Sequence, residues 1–116
     1  GHVMEVAAGS KVQIELWAKR LPLFNGVEDL AAMGIIPAGA YANRDYLQGR
    51  VEVTGEVDRT RLDLMYAPET SGGLLMAVDP GRSRELERVA GNKEVLLTLV
   101  GQVTQAGPGH IKVVKG

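Results

Sequence analysis

Apolar and polar positions change period several times along the chain, and glycine or proline stands at most of the changes. Val3 to Ala8 read as the end of a helix, with Gly9 placed to take the left-handed conformation that closes one. Val12-Gln13-Ile14-Glu15-Leu16 alternates strictly, the period of a half-buried strand. After a turn at Leu21-Pro22, Asn25 and Glu28 have the spacing of a capping box. Val27, Leu30 and Ala31 share one face behind it, predicting a short helix that runs to about Met33 and stops at Gly34. From Gly34 to Gly49 no period is sustained, and Pro37, Gly39 and Asn43 interrupt the segment. It is predicted to be a long ordered loop, a kind of segment that often carries function.

In the second half, Val51 and Val53 flank Glu52 in a short strand, and Asp58 caps a helix with Leu62, Met65 and Tyr66 on one face. Pro68-Glu69-Thr70-Ser71-Gly72-Gly73 is a turn leading into Leu74-Leu75-Met76-Ala77-Val78, a continuous apolar run expected of a strand buried on both faces. Asp79-Pro80 starts another helix, with Leu86, Val89 and Ala90 inward and Gly91-Asn92 at its end. Val95 to Val103 and Ile111 to Val114 are the last strands, joined through Gln105-Ala106-Gly107-Pro108-Gly109. Helices and strands intermix without repeats or an interdomain linker. The predicted fold class is α+β, a mixed β-sheet packed with helices, with α/β as the neighbouring possibility.

Composition narrows the function classes. A chain of 116 residues is one domain or part of one, and 45% hydrophobic with 23% charged residues describes a globular protein. Thirteen basic against 14 acidic residues leave a net charge of −1, which argues against a nucleic-acid or anionic-membrane partner. No cysteine is present for a disulfide, a thiolate metal site or a nucleophile. No apolar run approaches the ~20 residues that span a bilayer, and no export signal opens the chain. Fifteen glycines stand out, and composition does not explain them. The start at Gly1-His2 fits either a tag remnant or a piece of a longer protein.

Candidate chemistry is sparse. His2 and His110 are the only histidines, and neither has the partners that a zinc site or a catalytic triad requires. Glu52, Glu56, Asp58 and Asp63 would hold magnesium or do acid–base work if two converged; otherwise they form a solvated surface with one capping aspartate. Thr70-Ser71-Gly72-Gly73 combines two hydroxyls with two glycines, which permits close backbone approach to anionic oxygens, without the lysine and spacing of a P-loop. A tight structural connection explains it equally well. In the segment Asn43-Arg44-Asp45, the arginine can reach a phosphate or a carboxylate, or tie the segment to its own domain.

Three segments, taken in order, resemble the C-terminal domain of the selenophosphate synthetases (selenide, water dikinases). Gly1-His2-Val3-Met4-Glu5-Val6-Ala7 is similar to the continuation of that family's Asp-Val-Thr-Gly-Phe-Gly-Leu-Leu-Gly-His motif. Pro22-Leu23 through Gly34-Ile35-Ile36-Pro37-Ala38-Gly39, followed by Asn43, resembles its P-x-x-x-x-A-x-x-x-A-x-x-G-x-x-P-G-G segment. Tyr66-Ala67-Pro68-Glu69-Thr70-Ser71-Gly72-Gly73-Leu74-Leu75 resembles its D-P-Q-T-S-G-G-L-L signature, the most specific of the three. Ala67, Glu69 and Ala38 depart from the family pattern.

The resemblance implies a mixed sheet packed with helices, as in the C-terminal domain of the aminoimidazole ribonucleotide synthetases and their relatives. It implies an enzyme that makes selenophosphate from ATP, selenide and water. The catalytic cysteine or selenocysteine, the essential lysine and most magnesium-binding aspartates of that family belong to its N-terminal part. Residues 1–116 would then be a C-terminal domain fragment beginning in native sequence at Gly1-His2, expected not to turn over ATP alone and itself needing no ATP or magnesium. Its expected partner is the N-terminal domain of its own chain, in a cytoplasmic homodimer. Thr70, Ser71, Gly72, Gly73 and Asn43 are the candidate nucleotide-binding edges; no catalytic or metal residue is assigned. The competing readings are a non-catalytic metabolite- or partner-binding module and another ATP-using enzyme of the same superfamily.

Overall fold

The computed structural model describes all residues, 1–116, and orders them as helix α1 (His2–Ser10), strand β1 (Val12–Trp17), helices α2 (Val27–Ala32) and α3 (Ala38–Tyr46), strand β2 (Val51–Thr54), helices α4 (Arg59–Met65) and α5 (Ser83–Asn92), and strands β3 (Gly101–Ala106) and β4 (His110–Val114). The four strands form one sheet in the order β2-β4-β1-β3. β1 runs parallel to β4 and antiparallel to β3, and β2 runs parallel to β4. The sheet is therefore mixed and the fold is α+β, as the alternation of patterns predicts.

Register follows from where the apolar residues sit. Ile14 lies opposite Ile111 and Leu16 opposite Val113, while Val51 and Val53 take the same two partners from the other side of β4. Ile14, Leu16, Ile111 and Val113 form one buried cluster with Met4 and Ala7 of α1, with Val51 packed against its edge and Val53 exposed. Burying a side chain the size of Met4 contributes about 1.5–3 kcal/mol. The other face of the sheet is polar, as expected of a sheet with one covered side. There Glu15 accepts hydrogen bonds from Trp17 Nε1 and Gln102 Nε2, each at 3.0 Å, and Gln13 accepts from Gln105 at 2.6 Å.

Arg61 holds the flanking helices. Its Nε donates to Glu28 of α2 at 2.8 Å, and one terminal nitrogen donates to the carbonyls of Ala18 at 2.6 Å and Leu21 at 3.1 Å. The guanidinium thus satisfies carbonyl oxygens at the exit of β1 and ties α4 to α2 across it. Asp58 caps α4 by accepting from the Arg61 N–H, and Asp79 accepts from the Gly81 N–H ahead of α5, both as the sequence predicts.

Four expectations are corrected. α1 continues past Gly9 to Ser10, and Lys11 takes the left-handed conformation instead. Gly26, not Asn25, occupies the cap position of α2, and Glu28 is engaged by Arg61 and not by a capping box. The predicted loop from Gly34 to Gly49 contains α3, a helix built on Ala38, Ala40 and Ala42 with Pro37 at its start. Its Gly39 is needed for contact: a Cβ there would stand 2.7 Å from the Pro68 ring.

The fourth correction is the largest. Leu74 to Val78 is neither a strand nor buried, with Leu74 91% exposed, and only Gly101 onward of the Val95–Val103 run pairs in the sheet. A buried strand needs a partner on each covered face, and the sheet ends at β3. From Thr70 to Leu99 the backbone hydrogen-bonds only within itself, and α5 packs chiefly on the turn Pro80–Arg82 that leads into it. The radius of gyration, 14.7 Å, reflects this projecting arm; a chain of this length packed uniformly would reach about 13 Å.

The turn between β3 and β4 approaches α1 so closely that a Cβ on Gly109, whose φ is +84°, would lie 2.5 Å from the Ala8 Cα. Gly107 in the same turn has open space around it. Gly109→Ala is expected to destabilise the fold by about 2–4 kcal/mol and Gly107→Ala by less than about 1 kcal/mol. Urea unfolding of both variants checks this, and equal midpoints would contradict the packing described.

Candidate functional site

Because α1 lies low on the sheet, its first turn reaches the end of α3 and the turn that follows α4. A cleft of about 370 Å³ opens between them, within the range typical of small-molecule sites. Gly1, His2, Met4, Glu5 and Ala8 line it from α1, Asn43 and Tyr46 from α3, and Ala67, Pro68 and Thr70 from the turn, with Arg50 at the entry to β2. Two of the residues proposed from sequence, Asn43 and Thr70, thus line the same cleft. Ser71, Gly72 and Gly73 continue outward from Thr70 beyond the cleft, and a Cβ on either glycine would meet nothing. Nothing inside the chain requires glycine at positions 72 and 73.

Asn43 joins the two sides. Its Nδ2 donates to the Tyr66 carbonyl at 2.8 Å, which fixes the start of the Ala67–Thr70 turn against α3. One amide proton of Asn43 is used in this bond and one remains. The neighbouring Arg44 is occupied: it donates to Asp63 at 2.9 Å and lies over the Tyr41 ring, 5.3 Å from its centroid. Of the two roles open to Arg44 from sequence, tying its segment to its own domain is the one the geometry uses.

Burial raises the Tyr66 phenol above its usual value, with Arg44 pulling it down and Asp63 pushing it up. Of the four acids, Asp63 pairs with Arg44 and Glu52 lies 3.8 Å from His110, while Glu56 and Asp58, which also caps α4, line a separate cleft of about 550 Å³ with Glu28, Lys19, Arg61 and Lys115. No three His, Asp or Glu side chains converge to hold a metal.

The donor set of the smaller cleft fits anionic oxygen: a guanidinium, an amide proton, a hydroxyl and an imidazole face one carboxylate, Glu5. It does not fit magnesium, which requires several oxygen ligands. Arg50 and the wall formed by His2 are absent from the residues singled out in sequence. Arg50 stands one position before a short strand, and no pattern distinguishes it from a surface arginine.

No model of a protein family matches the chain. Individual relatives do. A selenide, water dikinase of Clostridioides difficile is 39% identical over 114 residues, covering 97% of this chain and 33% of that protein. The same-named protein of Trichlorobacter lovleyi is 41% identical over 103 residues, 89% of this chain and 30% of the relative. That of Caldanaerobacter subterraneus is 46% identical over 88 residues, 76% and 25% of the two chains. Over the span it covers, the chain is similar to the selenide, water dikinases. It spans about a third of the length of these dikinases. No helix is long and apolar enough to cross a membrane.

The raised Tyr66 pKa has a consequence for stability. The folded protein holds the phenolic proton more tightly than the unfolded chain, so its contribution is full below about pH 10 and is lost as pH rises through the folded value. Tyr66→Phe, which has no proton to lose, is expected to gain stability relative to the parent above about pH 10. Urea midpoints for both proteins from about pH 8 to about pH 11 check this, and a constant difference would contradict it.

Proposed function

We propose that the chain is the C-terminal domain of a selenide, water dikinase, and that the cleft bounded by Asn43 and Thr70 forms one wall of that enzyme's ATP site. In this reading two phosphoryl groups of ATP are transferred, one to selenide and one to water, giving selenophosphate and orthophosphate and leaving AMP. Such transfer depends on positioning the phosphates and neutralising the charge on the transferring group. The observation that supports the reading best is that Asn43 and Thr70, from separate sequence segments, line one cleft in a chain related to dikinases.

In this reading the division of work follows from what the chain carries. Its side chains offer hydrogen bonds to phosphate oxygens and no carboxylate set for magnesium. The Thr70 hydroxyl makes no hydrogen bond within the chain and is free to donate. Ser71, Gly72 and Gly73, extending the same edge outward, would approach nucleotide along the rim. Magnesium, when bound, screens the phosphate charge and is held by the remainder of the enzyme, as are the nucleophilic and general-base groups. The assembled enzyme would be a cytoplasmic homodimer, and this chain alone would not turn over ATP.

Thr70→Ala with Ser71→Ala, placed in the full-length enzyme that carries this domain, tests the proposal. Losing hydrogen bonds to a charged ligand is expected to raise the KM for ATP about tenfold or more. Unchanged ATP kinetics would remove the turn from the site.

A further inference from the structure

Most arginines with a carboxylate in reach are spent on it: Arg44 and Arg59 on Asp63, Arg61 on Glu28, Arg82 on Glu85. Arg20, Arg50, Arg84 and Arg88 form no ion pair, and of these only Arg50 lines the smaller cleft, where its side chain makes no hydrogen bond within the chain. Its guanidinium lies 6.0 Å from the centroid of the Tyr46 ring, which also lines the cleft. Stacking of this kind orients the planar fork without consuming its five donors.

The backbone at Arg50 is fixed on both sides. Gly49, with φ +77°, turns the chain out of α3, and the Arg50 N–H donates to the Leu47 carbonyl at 3.0 Å. The Arg50 carbonyl accepts from Ile111 of β4 at 3.1 Å. Leu47 itself is buried in the core. An arginine anchored this way, with an unspent fork over an aromatic ring, is held ready for a ligand.

We infer that Arg50, with the free amide proton of Asn43 and the hydroxyl of Thr70, forms a subsite for a phosphate-class oxyanion, either free orthophosphate or the terminal phosphate of a nucleotide. The groups around it are suited to an anion: Arg50, Asn43, Thr70 and His2 line the cleft with Glu5 as its one carboxylate. The choice of phosphate over a carboxylate ligand rests on the dikinase reading. The presence of an anion subsite at Arg50 rests on the geometry alone.

The test uses the 116-residue chain at about pH 8.5, where phosphate is a dianion. Inorganic phosphate, and in a second arm ATP without metal, is titrated while the carbon-bound proton resonances of Thr70 and Tyr46 are followed. Saturable shifts of both with a dissociation constant on the order of millimolar are expected, weakened about tenfold or more in Arg50→Gln and less in Arg50→Lys, which keeps the charge but loses the fork. Tighter binding of ATP through the same residues assigns the subsite to a nucleotide phosphate; equal or tighter binding of phosphate assigns it to the free oxyanion. Binding equal in all three proteins, shifts centred on Lys19 and Lys115, or no shift with either ligand would overturn the inference. Phosphate binding that needs Arg50, alongside ATP kinetics indifferent to Thr70 and Ser71 in the longer enzyme, would retain the subsite and discard the nucleotide wall.

Discussion

How closely α1 can approach the sheet decides where everything else stands. Ala7 is wholly buried between α1 and strands β1 and β4, and Gly109 lets the β3–β4 turn come up against the Ala8 backbone. Small residues at both places let helix and sheet touch through main chain, with Met4, Ile14, Leu16, Ile111 and Val113 filling the space beside them. Close-packed interiors tolerate little change in volume, so these positions fix the height of the helix to within a fraction of a side chain. That height brings Gly1 and His2 level with Asn43 and makes a cleft where a more distant helix would leave an open surface.

Polar contacts then arrange the cleft walls. Arg61 and Asn43 act in the same way at different places: each sends a donor to main-chain carbonyls of a distant segment and leaves no buried polar side-chain atom without a partner. Arg61 places α4, and Asn43 places the turn that follows it. Arg44 and Asp63 reinforce the same junction from a half-exposed position, where an ion pair contributes less. The arm from Thr70 to Leu99 lies outside this system. It carries Leu74, Leu75, Leu96 and Leu99 exposed, and apolar surface of that extent is ordinarily covered by another surface.

The parts of the fold legible in the sequence are those determined by local pattern. The strict alternation in β1, the aspartates ahead of α4 and α5, and the apolar pairs of β2 and β4 each act within a few residues of themselves. α3 escaped because its signals are alanines, which favour helix without a periodic stripe, and because Gly39 looks like a breaker when its reason is contact with Pro68. The Leu74–Val78 run misled for the opposite reason: its composition describes a buried strand, but burial depends on a partner that lies elsewhere. Asn43 and Thr70 were singled out by a hydroxyl- and glycine-rich turn and an interrupted segment. Their meeting, and the presence of Arg50 beside them, depend on tertiary placement that no spacing encodes.

If the proposed ATP wall is right, this cleft faces nucleotide in the longer enzyme that carries the domain. Amide hydrogen exchange of the full-length enzyme, measured with and without ATP, addresses that directly. Slower exchange on ATP binding is expected in the peptides covering residues 43–50 and 66–71, with the segment around Lys19 and Lys115 unchanged. Protection confined to that second region, or to residues outside this chain altogether, would contradict it.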